Sequence, residues 1–340
     1  MRVNEFLIFK GLVGVAALVS TLDEKGQPTV AEITWVKPPN SRVGPITDAE
    51  RTADALGIAK AYGSYEEMLA DPEIDAIYNP LPNHLHIDLT LAAAQAGKHV
   101  LCEKPIGLNA KDAERLRAVP EGVLVAEAFM IRYHPQWLRA RDIARSGELG
   151  EVRAVFSLFT YFNTDPSNVR NQPDIGGGGI LDIGCYPVTG ARFIFEGEPK
   201  RVVALVDRDP NFRTDRQASV IADFGNGRHL TFLVSTQLVG SQRIEIVGTK
   251  GRVEILIPFN APPDAHTAIV VDKGESLGGN MARREIMPTC DQYTEQAEAF
   301  ALAVLGKQPL LWGIEDGVRS MRVLDAIFAS ERSGGWADIG

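Results

Sequence analysis

A chain of 340 residues, 45% hydrophobic and 23% charged, is long enough for two domains, each with its own core. Its formal net charge of −9 argues against nucleic acid or an anionic membrane as partner, since both want a basic face, and leaves small ligands. Cys102, Cys185 and Cys290 are too few and too scattered for a disulfide framework or a zinc cluster. They read as reduced thiols, so the cytoplasm is the expected compartment.

The first half alternates short apolar runs with helical patterns. Phe6–Val13 reads as a strand, and the apolar stretch Gly11–Val19 is too short to cross a bilayer and lacks signal-peptide flanks. Val30–Val36 is the next strand candidate. Ala49–Leu56 reads as a helix led by Thr47 or Asp48 and stopped by Gly57. Ser64 and Glu67, three apart, form a capping box. Ile74–Tyr78 is a buried strand ending in Asn79-Pro80-Leu81-Pro82, and Leu85–Ala96 a helix closed by Gly97. His99–Cys102 is a further strand, Asn109 caps a helix to about Arg117, and Val123–Ala126 is a strand again. This rhythm predicts an α/β domain over residues 1–128, its parallel sheet covered by helices on both faces.

Beyond about Gly150 the strand-like segments succeed one another with few helices between: Val152–Phe159, Val202–Val206, Ser219–Phe224, His229–Thr236, Gln242–Val247 and Arg252–Ile257. Asn226-Gly227 is a strong hairpin signal. Gln292–Leu305 and Glu315–Ser330 read as closing helices, able to pack back on the first domain. The second domain, residues 129–340, is therefore expected to be α+β with a large, mainly antiparallel sheet.

In an open parallel sheet, ligands sit beyond the carboxyl ends of the strands. Three predicted strands end there in polar or turn-forming residues: Asn79-Pro80, Glu103-Lys104-Pro105 and Glu127. The dinucleotide turn is harder to find. In Gly14-Val15-Ala16-Ala17-Leu18-Val19 only the first glycine of G-x-G-x-x-G is kept, with Ala16 and Val19 at the second and third positions. The same segment reads locally as a buried apolar strand or helix.

The blocks Tyr78-Asn79-Pro80-Leu81-Pro82-Asn83-His84-Leu85-His86, Ala96–Pro105, Glu127–Pro135 and Gly176–Pro187 occur in a fixed order and resemble the core of the Gfo/Idh/MocA oxidoreductase family. The resemblance runs from about Ala49 to the last helix. It implies a Rossmann-type first domain, an open-faced sheet in the second that supports a homodimer or homotetramer, and a nicotinamide cofactor. It further implies that Gly14, Ala16, Asn79, Pro80, Asn83, His84, Glu103, Lys104, Pro105 and Glu127 border the cofactor. Arg42, after Ser41, would meet a 2′-phosphate and tip the choice toward NADP over NAD. Lys104, Tyr186 and Asp182 are the implied catalytic residues, with Arg132 and Tyr161 beside them at the substrate. Tyrosine at 186, where the inositol dehydrogenase branch has histidine, points to the branch acting on aldoses, pentoses and dihydrodiols, and so to a sugar-like substrate.

The chemistry supports the pairing of Lys104 with Tyr186. Removing a hydride from a carbinol carbon requires that the hydroxyl proton also leave, so a base must touch that oxygen. A free tyrosine has a pKa near 10, and a neighbouring ammonium lowers it. Plainer roles stand beside these. Asp182 reads also as the N-cap of a helix from Ile183, Tyr186 as a core aromatic and Gly176–Gly179 as a loose turn. His134 is expected to be packed rather than catalytic. His84 and His86 have no third ligand at metal spacing, so no metal is expected. Residues 1–45 depart from the family pattern. That departure keeps a non-catalytic sugar- or nucleotide-sensing relative, or a cofactor-defective one, as the alternative to an enzyme.

Overall fold

The computed structural model describes residues 15–22, 28–36, 61–62 and 64–340, with side chains from Tyr62 onward except at residue 63. It divides into two compact units. One comprises the described residues up to Ala128 with Gln296–Val318, and the other Phe129–Glu295 with Arg319–Gly340.

The strands of the first unit are β1 (Val15–Leu22), β2 (Pro28–Val36), β3 (Ala61–Tyr62), β4 (Ala76–Asn79), β5 (His99–Glu103) and β6 (Val125–Ala128), in the sheet order β3-β2-β1-β4-β5-β6. β4, β5 and β6 run parallel, with Asn79 opposite Cys102 and Cys102 opposite Glu127. Every residue of β4 and β6 is buried, the signature of a parallel strand covered on both faces. The α/β expectation holds, with one antiparallel strand: β1 runs antiparallel to both β2 and β4. Five residues separate β1 from β2, too few for the crossover of a dozen or so that a parallel pairing of the two would need.

Helix α1 (Tyr65–Ala70) starts where Ser64 Oγ accepts the Glu67 amide at 3.2 Å. Helix α2 (His86–Gln95) turns Ile87, Leu89, Thr90, Ala93 and Ala94 inward. Asn109 Oδ1 accepts the Asp112 amide at 2.9 Å to cap α3 (Ala110–Glu114), which tightens into a 3₁₀ turn over Arg115–Ala118. The predicted strand Phe6–Val13 and helix Ala49–Leu56 lie outside the described residues.

The second unit is one nine-stranded sheet. Its strands are β7 (Val152–Phe162), β8 (Arg201–Arg208), β9 (Asp215–Gly225), β10 (Arg228–Ser235), β11 (Gln237–Gly248), β12 (Arg252–Ile255), β13 (Thr267–Asp272), β14 (Arg283–Met287) and β15 (Ala337–Asp338), ordered β14-β13-β12-β11-β7-β10-β9-β8-β15. All neighbours are antiparallel except β7 and β10. Asn226 and Gly227 have φ of 54° and 71°, the pair of positive values that a type I′ turn demands between β9 and β10.

One face of this sheet is covered by α4 (Pro135–Ser146) and by α5 (Cys185–Phe195), all 11 of whose residues are buried. The other face alternates outward. Phe156 is 46%, Ile221 41% and Leu205 78% exposed. The chain closes with α6 (Gln292–Val304) and α7 (Ile314–Ser333). Within the first unit, Arg117 meets Glu315 in two bonds of 2.8 and 3.0 Å, and Gly317 packs on Ile106. No helix among the described residues is long and apolar enough to cross a membrane.

Candidate functional site

In the first unit the chemistry-bearing residues gather at the carboxyl edge of β4, β5 and β6, and backbone carbonyls and amides there are tied by buried side chains. Asn79 is fully buried. Its Nδ2 donates to the His86 carbonyl at 3.1 Å and to Thr90 Oγ1 at 3.2 Å, while its Oδ1 accepts the Leu81 amide at 3.3 Å. The turn Lys104-Pro105-Ile106 is held from three sides, across a cis Lys104–Pro105 peptide. Glu103 accepts the Lys104 amide at 3.1 Å and the Tyr78 hydroxyl, and Glu127 Oε1 accepts the Ile106 amide at 2.8 Å. His86, 1% exposed, lies with Nδ1 2.8 Å from the Pro105 carbonyl and Nε2 2.5 Å from the Leu81 carbonyl. Burial lowers its pKa, while the two carbonyls press the other way, because only the doubly protonated ring can donate to both. The half-buried Lys104 thus projects from a turn whose backbone has little freedom.

The second unit builds its site on the connection between β7 and α5. Gly178, at φ 116°, runs so close to Asp215 that a Cβ would meet its Oδ1 at 2.0 Å, and Gly177 would clash with the Arg170 and Gln172 carbonyls at 2.7 and 2.6 Å. Close approach, not looseness, is what the glycines permit here. A π-helical turn, Ile180–Gly184, comes next and carries Asp182. Asp182 does not cap a helix. Its Oδ2 accepts the Tyr161 hydroxyl at 2.6 Å and Arg170 Nε at 2.9 Å. Burial first, then Asp182, raises the Tyr161 pKa, and Asp182 raises that of Arg170. Tyr161 is therefore a neutral hydrogen-bond donor rather than a base.

Tyr186, four residues after Asp182, is 5% exposed. Its ring lies edge-on to Phe129 and to Phe159, each at 5.6 Å between centroids, and tilts against Phe259 at 5.3 Å. Its hydroxyl lies 3.7 Å from Met130 Sδ. Phe259 is seated in turn by side chains that clamp its loop: Gln242 accepts the Phe259 and Asn260 amides at 2.9 Å, and Trp137 Nε1 donates to the Pro258 carbonyl at 2.7 Å. The Tyr186 ring is locked in place by this aromatic cluster.

Of the residues expected at the site, Asn79, Glu103, Lys104, Pro105 and Glu127 share the first unit's edge, with Pro80, Asn83 and His84 on the turn after β4. Asp182, Tyr186 and Tyr161 come together in the second unit. Arg132 is 3% exposed, with its guanidinium 5.6 Å from the Phe129 ring centroid in the second unit. Ala16 is corrected. It lies within β1, paired with Trp35 and Tyr78, so it belongs to a strand and not to a phosphate turn. Gly14 and Arg42 lie outside the described residues. His134 is fully buried and caps α4, with Nδ1 accepting the Gln136 amide at 3.1 Å. Burial lowers its pKa to about 4. Cys102 and Cys185 are buried, small space-fillers. No group of three or more His, Cys, Asp or Glu placed to hold a metal exists among the described residues. Arg170 and Asp215 escaped the sequence reading. Neither sits in a motif, and nothing short of the fold brings them to Asp182 and the glycine turn.

A family model described as the oxidoreductase family NAD-binding Rossmann fold matches residues 44–122, and one described as the GFO/IDH/MocA C-terminal domain matches residues 137–254. The chain belongs to the Gfo/Idh/MocA family and is an NAD(P)-dependent oxidoreductase. It is 42% identical over 335 residues to an uncharacterised oxidoreductase of Rhizobium meliloti, covering 98% of this chain and 99% of that one. It is 38% identical to a D-xylose 1-dehydrogenase (NADP(+)) of Haloferax volcanii over 86% of this chain and 88% of the relative. Among solved structures it is similar to the 3-ketoreductase KijD10 of Actinomadura kijaniata in complex with NADP and TDP-benzene, with TM-score 0.77, 28% identity and coverage of 86% and 90%. It also resembles the aldose-aldose oxidoreductase of Caulobacter crescentus, with TM-score 0.79, 25% identity and 91% coverage of each chain.

The residues present fit the nicotinamide half of such a cofactor: a turn tied down by buried side chains, with Lys104 on it, at the carboxyl edge of a parallel sheet. No phosphate turn occurs among the described residues.

Proposed function

We propose that this chain oxidises or reduces an aldose or similar pyranose, using NADP in preference to NAD. The observation that carries the reading is the Asp182 cluster: a carboxylate on a close-packed glycine turn, hydrogen-bonded to Tyr161 and Arg170, with the immobilised Tyr186 four residues on. A polyol is recognised by such a set, because carboxylate and guanidinium together accept from and donate to neighbouring hydroxyls. The NADP-linked xylose dehydrogenase among its relatives supports a pentose as the first substrate to try.

In this reading Asp182 binds a substrate hydroxyl beside the reacting carbon, and Tyr161 and Arg170 hold the carboxylate in place. Tyr186 exchanges the proton of the reacting oxygen, and Lys104 serves as the charged group that polarises it. Bound at the carboxyl edge, the nicotinamide would supply the hydride chemistry. Asn79, Glu103, Pro105 and Glu127 shape the wall on that side. The outward sheet face, with Phe156, Ile221 and Leu205 exposed, supports assembly into a homodimer or homotetramer, and three free thiols support a cytoplasmic setting.

Fluorescence titration of the purified chain with NADPH and NADH, then turnover assays on pentoses, hexoses and diols, tests the reading. Saturable binding that weakens in Lys104→Ala, with turnover of at least one aldose, supports it. A folded chain that binds neither nucleotide would instead match the non-catalytic alternative.

A further inference from the structure

Beneath the glycine turn lies an aspartate that this machinery does not use. Asp215 opens β9, is 2% exposed, and accepts the Ile180 amide on Oδ2 at 2.5 Å. A Cβ at Gly178 would meet Asp215 Oδ1 at 2.0 Å, and one at Gly179 would lie 3.2 Å from the Asp215 carbonyl, so the turn is folded around this residue. Burial, outweighing the Ile180 amide and Arg208, pushes the carboxyl up to about 7. The charged and titratable groups around it are Arg208 on β8, Glu331 on α7 and Tyr161 at the end of β7. Arg208 is already paired with Glu331 through bonds of 2.6 and 2.7 Å.

We propose that Asp215 is a positioning residue: its carboxyl grips the Ile180 amide, fixes the turn Gly178–Ile180, and so sets where Asp182 and Tyr186 stand. The inference rests on the reading that those two residues serve the substrate. The path is short. The amide of Ile180 opens the π-helical turn, the Asp182 amide returns to the Gly178 carbonyl at 3.1 Å, and the Asp182 side chain then meets Tyr161 and Arg170. Burial disfavours the ionised carboxyl in the closed turn more than the Ile180 amide favours it. The turn is therefore held hardest below pH 7 and loosens above it. Asp215 exchanges no proton with the substrate.

The test uses the full chain as wild type, Asp215→Ala, Asp215→Asn and Asp182→Asn. Hydrogen exchange of peptides spanning residues 176–186, corrected for intrinsic rates, is tracked from pH 6 to 8.5 alongside kcat and KM for the best aldose and the affinity for NADPH. Asp215→Ala is expected to speed exchange of this segment and to raise KM, each about tenfold, the scale of one buried hydrogen bond, with NADPH affinity unchanged. Asp215→Asn keeps an oxygen for Ile180. It is expected to restore most of both while abolishing the step near pH 7 that the wild type shows. Wild-type exchange in Asp215→Ala, or a pH step that survives in Asp215→Asn, overturns the inference. If Asp182→Asn leaves KM unchanged while Asp215→Ala still frees the turn, the positioning holds and the substrate reading is what fails. Should Asp215→Ala not fold, the presence or absence of the pH step in Asp215→Asn decides.

Discussion

Tyr161, at the end of β7, donates its hydroxyl to the carboxylate of Asp182, 21 residues away, on the same oxygen that Arg170 reaches. Two donors on one oxygen fix the orientation of the carboxylate. Tyr161→Phe is expected to raise KM for the aldose about tenfold, the scale of one hydrogen bond to a charged group, with kcat changed much less. Steady-state kinetics with matched NADPH binding checks this, and a fall in kcat at unchanged KM would assign Tyr161 a different role.

Lys104 stands on the tied turn at the carboxyl edge. Lys104→Ala is expected to lower kcat by about 10²–10⁴, the range for a group that polarises or exchanges a proton at the reacting oxygen. Lys104→Arg keeps the charge but not the compact ammonium, and recovers only part of the rate. Single-turnover rates at saturating cofactor measure the step itself. Equal rates in wild type and Lys104→Ala would remove Lys104 from the chemistry.

The edge of the first unit was readable in the sequence for a physical reason. Parallel strands buried on both faces are short, uninterrupted apolar runs, so Ala76–Asn79, His99–Glu103 and Val125–Ala128 stand out, and the residues just past each strand fall on the edge where open parallel sheets commonly take ligands. The motifs then supplied Asp182, Tyr186 and Lys104. Arg170 and Asp215 were not readable, because their meaning comes from tertiary contacts across 12 and 35 residues and from no local pattern. Val15–Leu22 was legible as an apolar strand, but nothing in its composition told its direction.

His86 sits between two carbonyls that have few other places to turn. His86→Ala strands both and is expected to cost about 2–5 kcal/mol of stability, the desolvation penalty of two buried acceptors. Denaturant melts give the stability, and NADPH titration of the folded fraction reports whether the Lys104 turn has moved. A loss under 1 kcal/mol (about the scatter among ordinary surface changes) would show that water replaces the ring.

Asp215 also makes a claim on stability, with its own sign. Its folded pKa of about 7 is above the ordinary aspartate value, so its contribution is fully present below the unfolded pKa and is lost as pH rises through about 7. A shift of that size corresponds to at most about 4 kcal/mol between pH 4 and pH 8. Asp215→Asn carries no such dependence and should gain on the wild type across that window in paired urea melts. Parallel curves for the two proteins would mean that the carboxyl titrates normally.

Gly178 admits no side chain. Gly178→Ala combines a φ of 116° with a Cβ 2.0 Å from the Asp215 carboxylate and is expected to cost about 2 kcal/mol or more. Thermal melts read the loss. Substrate KM should rise in the same variant, since the turn that carries Asp182 must move.

The pairing of β7 with β10 is parallel, while every other neighbour in that sheet is antiparallel. A parallel return demands a long crossover, and this sheet meets that demand with the stretch between Phe162 and Arg201, which holds Arg170, the glycine turn, Asp182 and Tyr186. Register is pinned elsewhere, by the strands on either side. The crossover is thus a cassette: its first part, residues 163–175, can diverge among descendants without re-registering a single strand. Selection for a new sugar has a place to work that selection for folding leaves largely alone.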